Sequence, residues 1–134
     1  MLIEIPKDAA VLELQASTVW FDRDGVLYSV GKPFMGPRTM DEIMEDMTRV
    51  RNFIGDKKVC IIVESNSKSQ SPPREHRDAI AQALDSVTKA MAIVSSSPLS
   101  RMVANLFFSF RPPGFPMKLF SNHIEAREWI SRYL

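Results

Sequence analysis

Residues 58–65, KVCIIVES, form a continuous apolar run of strand length, and this run restricts the possible folds more than any other feature of the chain. A strand that faces water on one side alternates polar and apolar side chains, whereas an uninterrupted run is typical of a strand covered on both faces. A shorter run of the same kind, AMAIVS, follows at residues 90–95. Segments of helical periodicity separate these runs, and this alternation predicts an α/β fold with a mixed, mostly parallel sheet and right-handed crossovers.

Three further β-rich runs lie in the N-terminal part of the chain: VLELQ at 11–15, TVWFD at 18–22 and VLYSV at 26–30. The second and third runs are joined through Asp24 and Gly25, and Asp-Gly between two such runs is a strong hairpin signal because Gly readily adopts positive φ. We therefore expect N-terminal antiparallel strands beside the parallel part of the sheet.

The first of four predicted helices is bounded by clear local signals. Thr39 suits an N-cap, Asp41 and Glu42 in the first turn favour the positive end of the helix dipole, and Gly55 suits the end of the helix. The apolar side chains at helical spacing are expected to pack in the core: Met40, Ile43, Met44, Met47, Val50 and Ile54.

Three more helices are predicted farther along the chain. The second carries Ile80, Ala83, Leu84 and Val87 on one face. The third begins with Ser97 as cap and Pro98 at the first helical position, and a short strand, MKLF, follows at 117–120. Ser121 or Asn122 caps the last helix. The last helix offers four side chains for packing: Ile124, Trp129, Ile130 and Tyr133.

Composition places the chain among ordinary globular proteins. With 134 residues, 45% hydrophobic and 25% charged, we expect a single domain over residues 1–134. The formal charge of +1 predicts no general affinity for nucleic acid or for an anionic membrane. No stretch approaches the length of a membrane span and no secretory leader is evident, so we expect a cytoplasmic protein. Cys60, within VCIIV, is expected to be a small buried apolar residue.

The stretch FDRDGVL at 21–27 resembles the first motif of haloacid-dehalogenase-type phosphatases, in which two aspartates serve as nucleophile and acid–base group. In this alternative, Asp22 and Asp24 would act with Mg²⁺. A magnesium site requires further acidic ligands, but no aspartate follows Asp85, and the two later glutamates, Glu125 and Glu128, lie in the last predicted helix. We therefore prefer the interpretation that these residues form a turn, and we expect neither a metal nor another cofactor.

The two histidines, His76 and His123, lie at the starts of two predicted helices with no further ligand at metal-binding spacing. We expect them to be exposed residues of helix starts. The aromatic residues Phe108 and Phe115, beside the prolines of RPPGFP, leave two interpretations open. They form either a contact patch for a partner or a second layer of the core.

The C-terminal third resembles a bacterial family of STAS/SpoIIAA-like domains of uncharacterised function. The residues that carry the resemblance are SPLSR at 97–101, NLFF at 105–108, RPPGFP at 111–116, KLF at 118–120 and AREWI at 126–130. The resemblance implies a SpoIIAA-like sheet of about four to five strands with about four helices. In the broader STAS group, the resemblance also implies regulation by protein–protein contact, which phosphorylation of a serine switches in some members. The motif that contains this serine in those members is missing after Glu64 in this sequence.

The function expected from these features is that of a non-enzymatic regulatory or interaction module. We expect it to form a homodimer and to bind a protein partner or a small apolar or anionic ligand. Six residues are predicted to form the binding surface: Ser97, Arg101, Asn105, Phe108, Arg111 and Phe115. The hydroxyl and arginine side chains suit an anionic group at a helix start, and the phenylalanines suit apolar contact.

Overall fold

A mixed six-stranded sheet is the framework of the chain in the computed structural model. The structure describes residues 5–15, 17–32, 39–64, 74–95 and 114–134, with the backbone alone for residues 74–78. The strands are β1 (Val11–Glu13), β2 (Ser17–Phe21), β3 (Leu27–Gly31), β4 (Val59–Glu64), β5 (Thr88–Val94) and β6 (Met117–Phe120). The α-helices in the described residues are α1 (Met40–Ile54), α2 (Arg74–Val87) and α3 (His123–Ile130), and a 3₁₀ turn follows at Ser131–Tyr133.

The strands lie in the sheet in the order in which they occur in the chain. Pairing is antiparallel from β1 to β3 and parallel from β3 to β6. The predicted antiparallel strands beside a mostly parallel sheet are therefore confirmed. The expected number of four to five strands is wrong, because the short β1 and β6 also join the sheet as its two edges. The predicted helix that begins at Ser97 lies outside the described residues.

The two faces of the sheet carry separate apolar clusters. The cluster shared with α1 and α2 contains Leu14, Val19, Leu27, Val50, Ile54, Val59, Ile61, Val87 and Met91. The cluster shared with α3 contains Trp20, Val26, Tyr28, Cys60, Ile62, Ala90, Ala92, Val94, Phe120, Ala126 and Ile130. Since consecutive right-handed crossovers in one direction place their helices on the same face, α1 and α2 are neighbours and α3 lies on the other side.

β4 shows why its sequence is apolar throughout. Val59 and Ile61 belong to the cluster beneath α1 and α2, whereas Cys60 and Ile62 belong to the cluster beneath α3, so both faces of the strand are covered. Cys60 is buried, as expected, and this burial raises the pKa of its thiol. The prediction of a strand covered on both faces is confirmed.

α1 begins and ends where the sequence predicts. The Thr39 side chain accepts the Glu42 backbone N–H at 3.1 Å, and the Glu42 side chain accepts the Thr39 N–H at 3.0 Å, which forms a capping box. Gly55 ends the helix with φ +88°. The buried residues of the helix are Ile43, Asp46, Val50 and Ile54, whereas Met40, Met44 and Met47 are half-buried. The methionines are thus at the margin of the core, and Asp46, near the Gln15 backbone N–H, takes a buried position that we did not predict.

α3 packs closely on the sheet because small residues face each other across the contact. Ala126 of the helix and Ala90 and Ala92 of β5 are fully buried, so the helix backbone approaches β5 without a large side chain between them. Asn122 caps the helix by accepting the Glu125 backbone N–H at 2.9 Å, which confirms one of the two predicted caps. In the described part of the chain, the helices are all too short or too polar to cross a membrane.

Candidate functional site

The motif FDRDGVL forms the hairpin between β2 and β3. The Asp22 backbone N–H donates to the Val26 carbonyl at 2.9 Å, and the Gly25 N–H donates to the Asp22 carbonyl at 3.2 Å. Gly25 has φ +84°, a conformation that suits Gly at the end of a three-residue hairpin loop. The predicted turn is confirmed.

The Asp22 carboxylate is engaged on both oxygens. Its Oδ1 atom accepts the backbone N–H groups of Asp24 at 2.8 Å and Val26 at 3.0 Å, so the side chain closes the turn from within. Its Oδ2 atom accepts Nε of Arg127 at 3.3 Å. The Asp22 side chain is 19% exposed, so these contacts are only partly screened by solvent.

Arg127 joins the hairpin to α3. One of its terminal nitrogens, Nη2, donates to Oδ2 of Asp24 at 2.6 Å, so that a single guanidinium contacts both aspartates. We call Asp22, Asp24 and Arg127 the hairpin clamp. The contact between Arg127 and Asp24 is short. The Asp24 side chain is 66% exposed, however, so solvent screens this ion pair more strongly than the ion pair between Arg127 and Asp22. This contact could not be predicted from local sequence signals, because about a hundred residues separate its partners along the chain.

Tyr28 lies beside the clamp on β3. Its ring stacks on Trp20 with 5.6 Å between ring centroids and an interplanar angle of 7°. Burial is the main cause that raises the pKa of the Tyr28 phenol, and the negative charge of Asp22 acts in the same direction. The positive charge of Arg127 opposes this shift of the Tyr28 pKa.

His123 and Glu64 form a second polar contact between α3 and the sheet. Nε2 of His123 lies 2.9 Å from Oε1 of Glu64, at the carboxyl end of β4, and the two side chains are 10% and 14% exposed. The expectation that His123 begins a helix is confirmed, but its expected exposure is wrong, because the ring packs inward to reach Glu64. Its other nitrogen, Nδ1, is buried and has no hydrogen-bond partner among the described residues.

A shallow groove open to solvent runs along α3 between these two polar contacts. Its volume is about 500 Å³, and it is lined by Tyr28, His123, Ile124, Arg127, Glu128 and Ser131. We call this surface the α3 groove. Tyr28 comes from β3, and the other lining residues come from one side of α3 and the turn that follows it. Ile124 projects at its rim with 76% of its surface exposed, so the expectation that it packs in the core is wrong.

The structure locates one of the six predicted binding residues. Phe115 is half-buried and packs against the apolar cluster beneath α1 and α2. The other five lie outside the described residues: Ser97, Arg101, Asn105, Phe108 and Arg111. Just before Phe115, the Gly114 backbone N–H donates to Oδ1 of Asp85 on α2 at 3.1 Å, which holds the chain beside α2 as it enters β6.

The clamp aspartates have a cationic side chain as their partner. Within the described ranges, no three or more His, Cys, Asp or Glu side chains come together as metal ligands. Asp22 and Asp24 face the guanidinium of Arg127, which supplies the positive charge that balances them. The local geometry therefore favours a structural role for these two carboxylates.

Comparison with solved structures shows the fold. The chain is similar to the crystal structure of an uncharacterized protein of the DUF3478 family, with a SpoIIAA-like fold, from Shewanella loihica PV-4. The two are 11% identical, the match covers 91% of each chain, and the TM-score is 0.53. A protein with unknown function from Arthrobacter sp. FB24 is 22% identical over 84% of this chain and 97% of that chain, but its TM-score of 0.29 carries no structural argument.

Comparison with protein families identifies the family. No curated protein matches the chain. The model of a family described as a domain of unknown function, DUF7793, matches residues 19–134, which include the hairpin loop, most of β2, the strands from β3 to β6, and α3. The chain therefore belongs to the DUF7793 family of uncharacterised domains, and it has a SpoIIAA-like fold.

Proposed function

We propose that this chain is a non-catalytic interaction module of the cytoplasm, which acts by binding a protein partner or a small apolar or anionic ligand. Its family and its structural relative are both uncharacterised, and support for this function comes from the geometry of the chain itself. The main competing function is a Mg²⁺-dependent phosphatase that uses Asp22 and Asp24.

The engagement of the Asp22 carboxylate is the observation that carries this proposal. A nucleophilic aspartate must direct a free oxygen at phosphorus and share Mg²⁺ with neighbouring acids. Here Oδ1 accepts two backbone N–H groups and Oδ2 accepts Arg127. Freeing this carboxylate would break two hydrogen bonds of the turn and one of the two contacts of the turn with Arg127, which supports a structural role over a catalytic one.

A phosphatase assay distinguishes the two functions. We expect the wild-type chain, with Mg²⁺ and a generic aryl phosphate, to hydrolyse no more substrate than Asp22→Asn does. Asp56→Asn, at an exposed acid after α1, is the matched control for loss of one carboxylate. Mg²⁺-dependent turnover that disappears in Asp22→Asn and persists in Asp56→Asn would overturn the proposal.

The surface proposed for the partner is the segment from Ser97 to Pro116. Its support is the sequence pattern: hydroxyl groups and Arg101 at a helix start suit an anionic group, and Phe108 departs from the apolar stripe of the predicted helix. Phe115, half-buried against the cluster beneath α1 and α2, ties the end of this segment to the domain.

Phe108→Ala tests this surface. We expect capture of partners from a native lysate to fall severalfold, because an aromatic contact residue is removed, with the thermal midpoint nearly unchanged. Thr48→Ala, at an exposed position on α1, should change neither quantity. A large drop of the thermal midpoint in Phe108→Ala would instead identify this residue as part of the core.

A further inference from the structure

Ile124 is the most exposed of the large apolar side chains in the described residues. Two of its neighbours on α3, Ala126 and Ile130, are fully buried against the sheet, so the helix presents Ile124 to solvent. A single exposed apolar residue is ordinary on a protein surface. Ile124 is different because it stands at the rim of the α3 groove.

The groove beside Ile124 is suited to an apolar side chain. Tyr28 contributes an aromatic surface held in place by its stacking on Trp20. The polar groups of Arg127 and His123 are turned toward their partners Asp22 and Glu64, which leaves the carbon atoms of these side chains to line much of the groove. A projecting apolar side chain and a groove with a largely apolar lining therefore lie next to each other, so that one surface patch offers both sides of a two-fold symmetric contact between identical chains.

The charges along α3 also suit a second copy in antiparallel orientation. Glu125 and Glu128 are exposed on the helix, and Arg132 is exposed just beyond its end. An antiparallel pair of these helices brings the acidic residues of one copy toward Arg132 of the other and sets the two helix dipoles in opposite directions. The formal charge of +1 per chain produces little long-range repulsion between two copies.

We infer that the chain forms a symmetric dimer in which α3 packs antiparallel against α3 of a second copy, with Ile124 of each copy inserted into the α3 groove of the other. The inference rests on the proposed non-catalytic function, because the groove must not be occupied by a substrate. It assigns the groove to self-association and leaves the segment from Ser97 to Pro116 for other partners.

Sedimentation velocity of the full chain over an about hundredfold range of concentration tests this dimer. We expect the wild type to be dimeric at the upper end and Ile124→Asp to be monomeric there. Because the dimer contains Ile124 twice, the substitution removes two buried isoleucines from the interface. The dissociation constant should therefore rise by about a hundredfold or more. Ile124→Lys should have the same effect, since the lost contact is apolar and independent of the sign of the new charge.

Thr48→Asp is the matched control, because it adds the same charge at an exposed position of α1, on the other face of the sheet. It should remain dimeric, and all variants should keep the wild-type circular dichroism spectrum. A monomeric wild type, or a dimer that survives either Ile124 substitution, would overturn the inference. Neither result bears on the phosphatase assay, so the proposed non-catalytic function would stand or fall separately.

Discussion

Asp22 lies where two backbone N–H groups of its own turn and the guanidinium of Arg127 converge. The turn was predictable, since Asp and Gly at these positions are local signals with a known backbone geometry. Arg127 was not predictable, because nothing local to either residue indicates a contact across about a hundred positions. The same limit applies to His123, which the sequence placed at a helix start and which the fold turns toward Glu64.

The raised pKa of Tyr28 provides a test of the burial of this residue. The folded state holds the neutral phenol, chiefly by burial, so the stability from this residue is fully present below the ordinary tyrosine pKa of about 10 and is lost as the pH rises through the folded-state value. The titration of Tyr28 is the difference in phenolate absorbance between the wild type and Tyr28→Phe as a function of pH. We expect its midpoint to lie at a higher pH in the folded protein than in denaturant. Equal midpoints in the two conditions would show that Tyr28 is not buried as described.

Among the elements, those with local end signals were predicted best. α1 begins after Thr39 and ends at Gly55, because the residues at its two ends form a capping box and supply a glycine with positive φ. The side of a helix that becomes buried is harder to predict, because it depends on the surface against which the helix packs. Asp46 is buried in α1 near the Gln15 backbone N–H, although its position interrupts the predicted apolar stripe.

α3 shows the same effect in a shorter helix. Its apolar residues extend over more than one side, so several orientations would bury a comparable set. The structure selects the one in which Ala126 meets the alanines of β5 and Ile130 is fully covered, and Ile124 is left outside. The sequence of α3 alone therefore could not predict which side packs on the sheet. For this reason the exposure of Ile124 could not be predicted either.

For the whole molecule, the order of apolar runs and helices was sufficient for the architecture. Continuous apolar runs predicted the parallel strands β4 and β5, and the Asp-Gly signal between two N-terminal runs predicted the antiparallel side. The runs at 11–15 and 117–120 also marked the short edge strands β1 and β6, whereas the count of four to five strands implied by the family resemblance was too low. Most of the predicted binding surface lies outside the described residues and stays a prediction.

The hairpin clamp holds the antiparallel end of the sheet to the last helix. We expect Asp22→Ala to lower the free energy of unfolding by about 2 to 3 kcal/mol, because two turn hydrogen bonds and a partly buried ion pair are lost. Arg127→Ala should lower it by a smaller amount, since the turn itself remains.

A double-mutant cycle of Asp22→Ala and Arg127→Ala, measured by urea unfolding, determines whether Asp22 is a structural residue that connects the hairpin to α3. With the side chains 19% and 26% exposed, we predict a coupling free energy of about 1 to 2 kcal/mol. A cycle on Arg127 and Asp56, which is exposed and distant in sequence, should show no coupling. If the effects of Asp22→Ala and Arg127→Ala are additive, or if both variants are as stable as the wild type, Asp22 does not have this structural role.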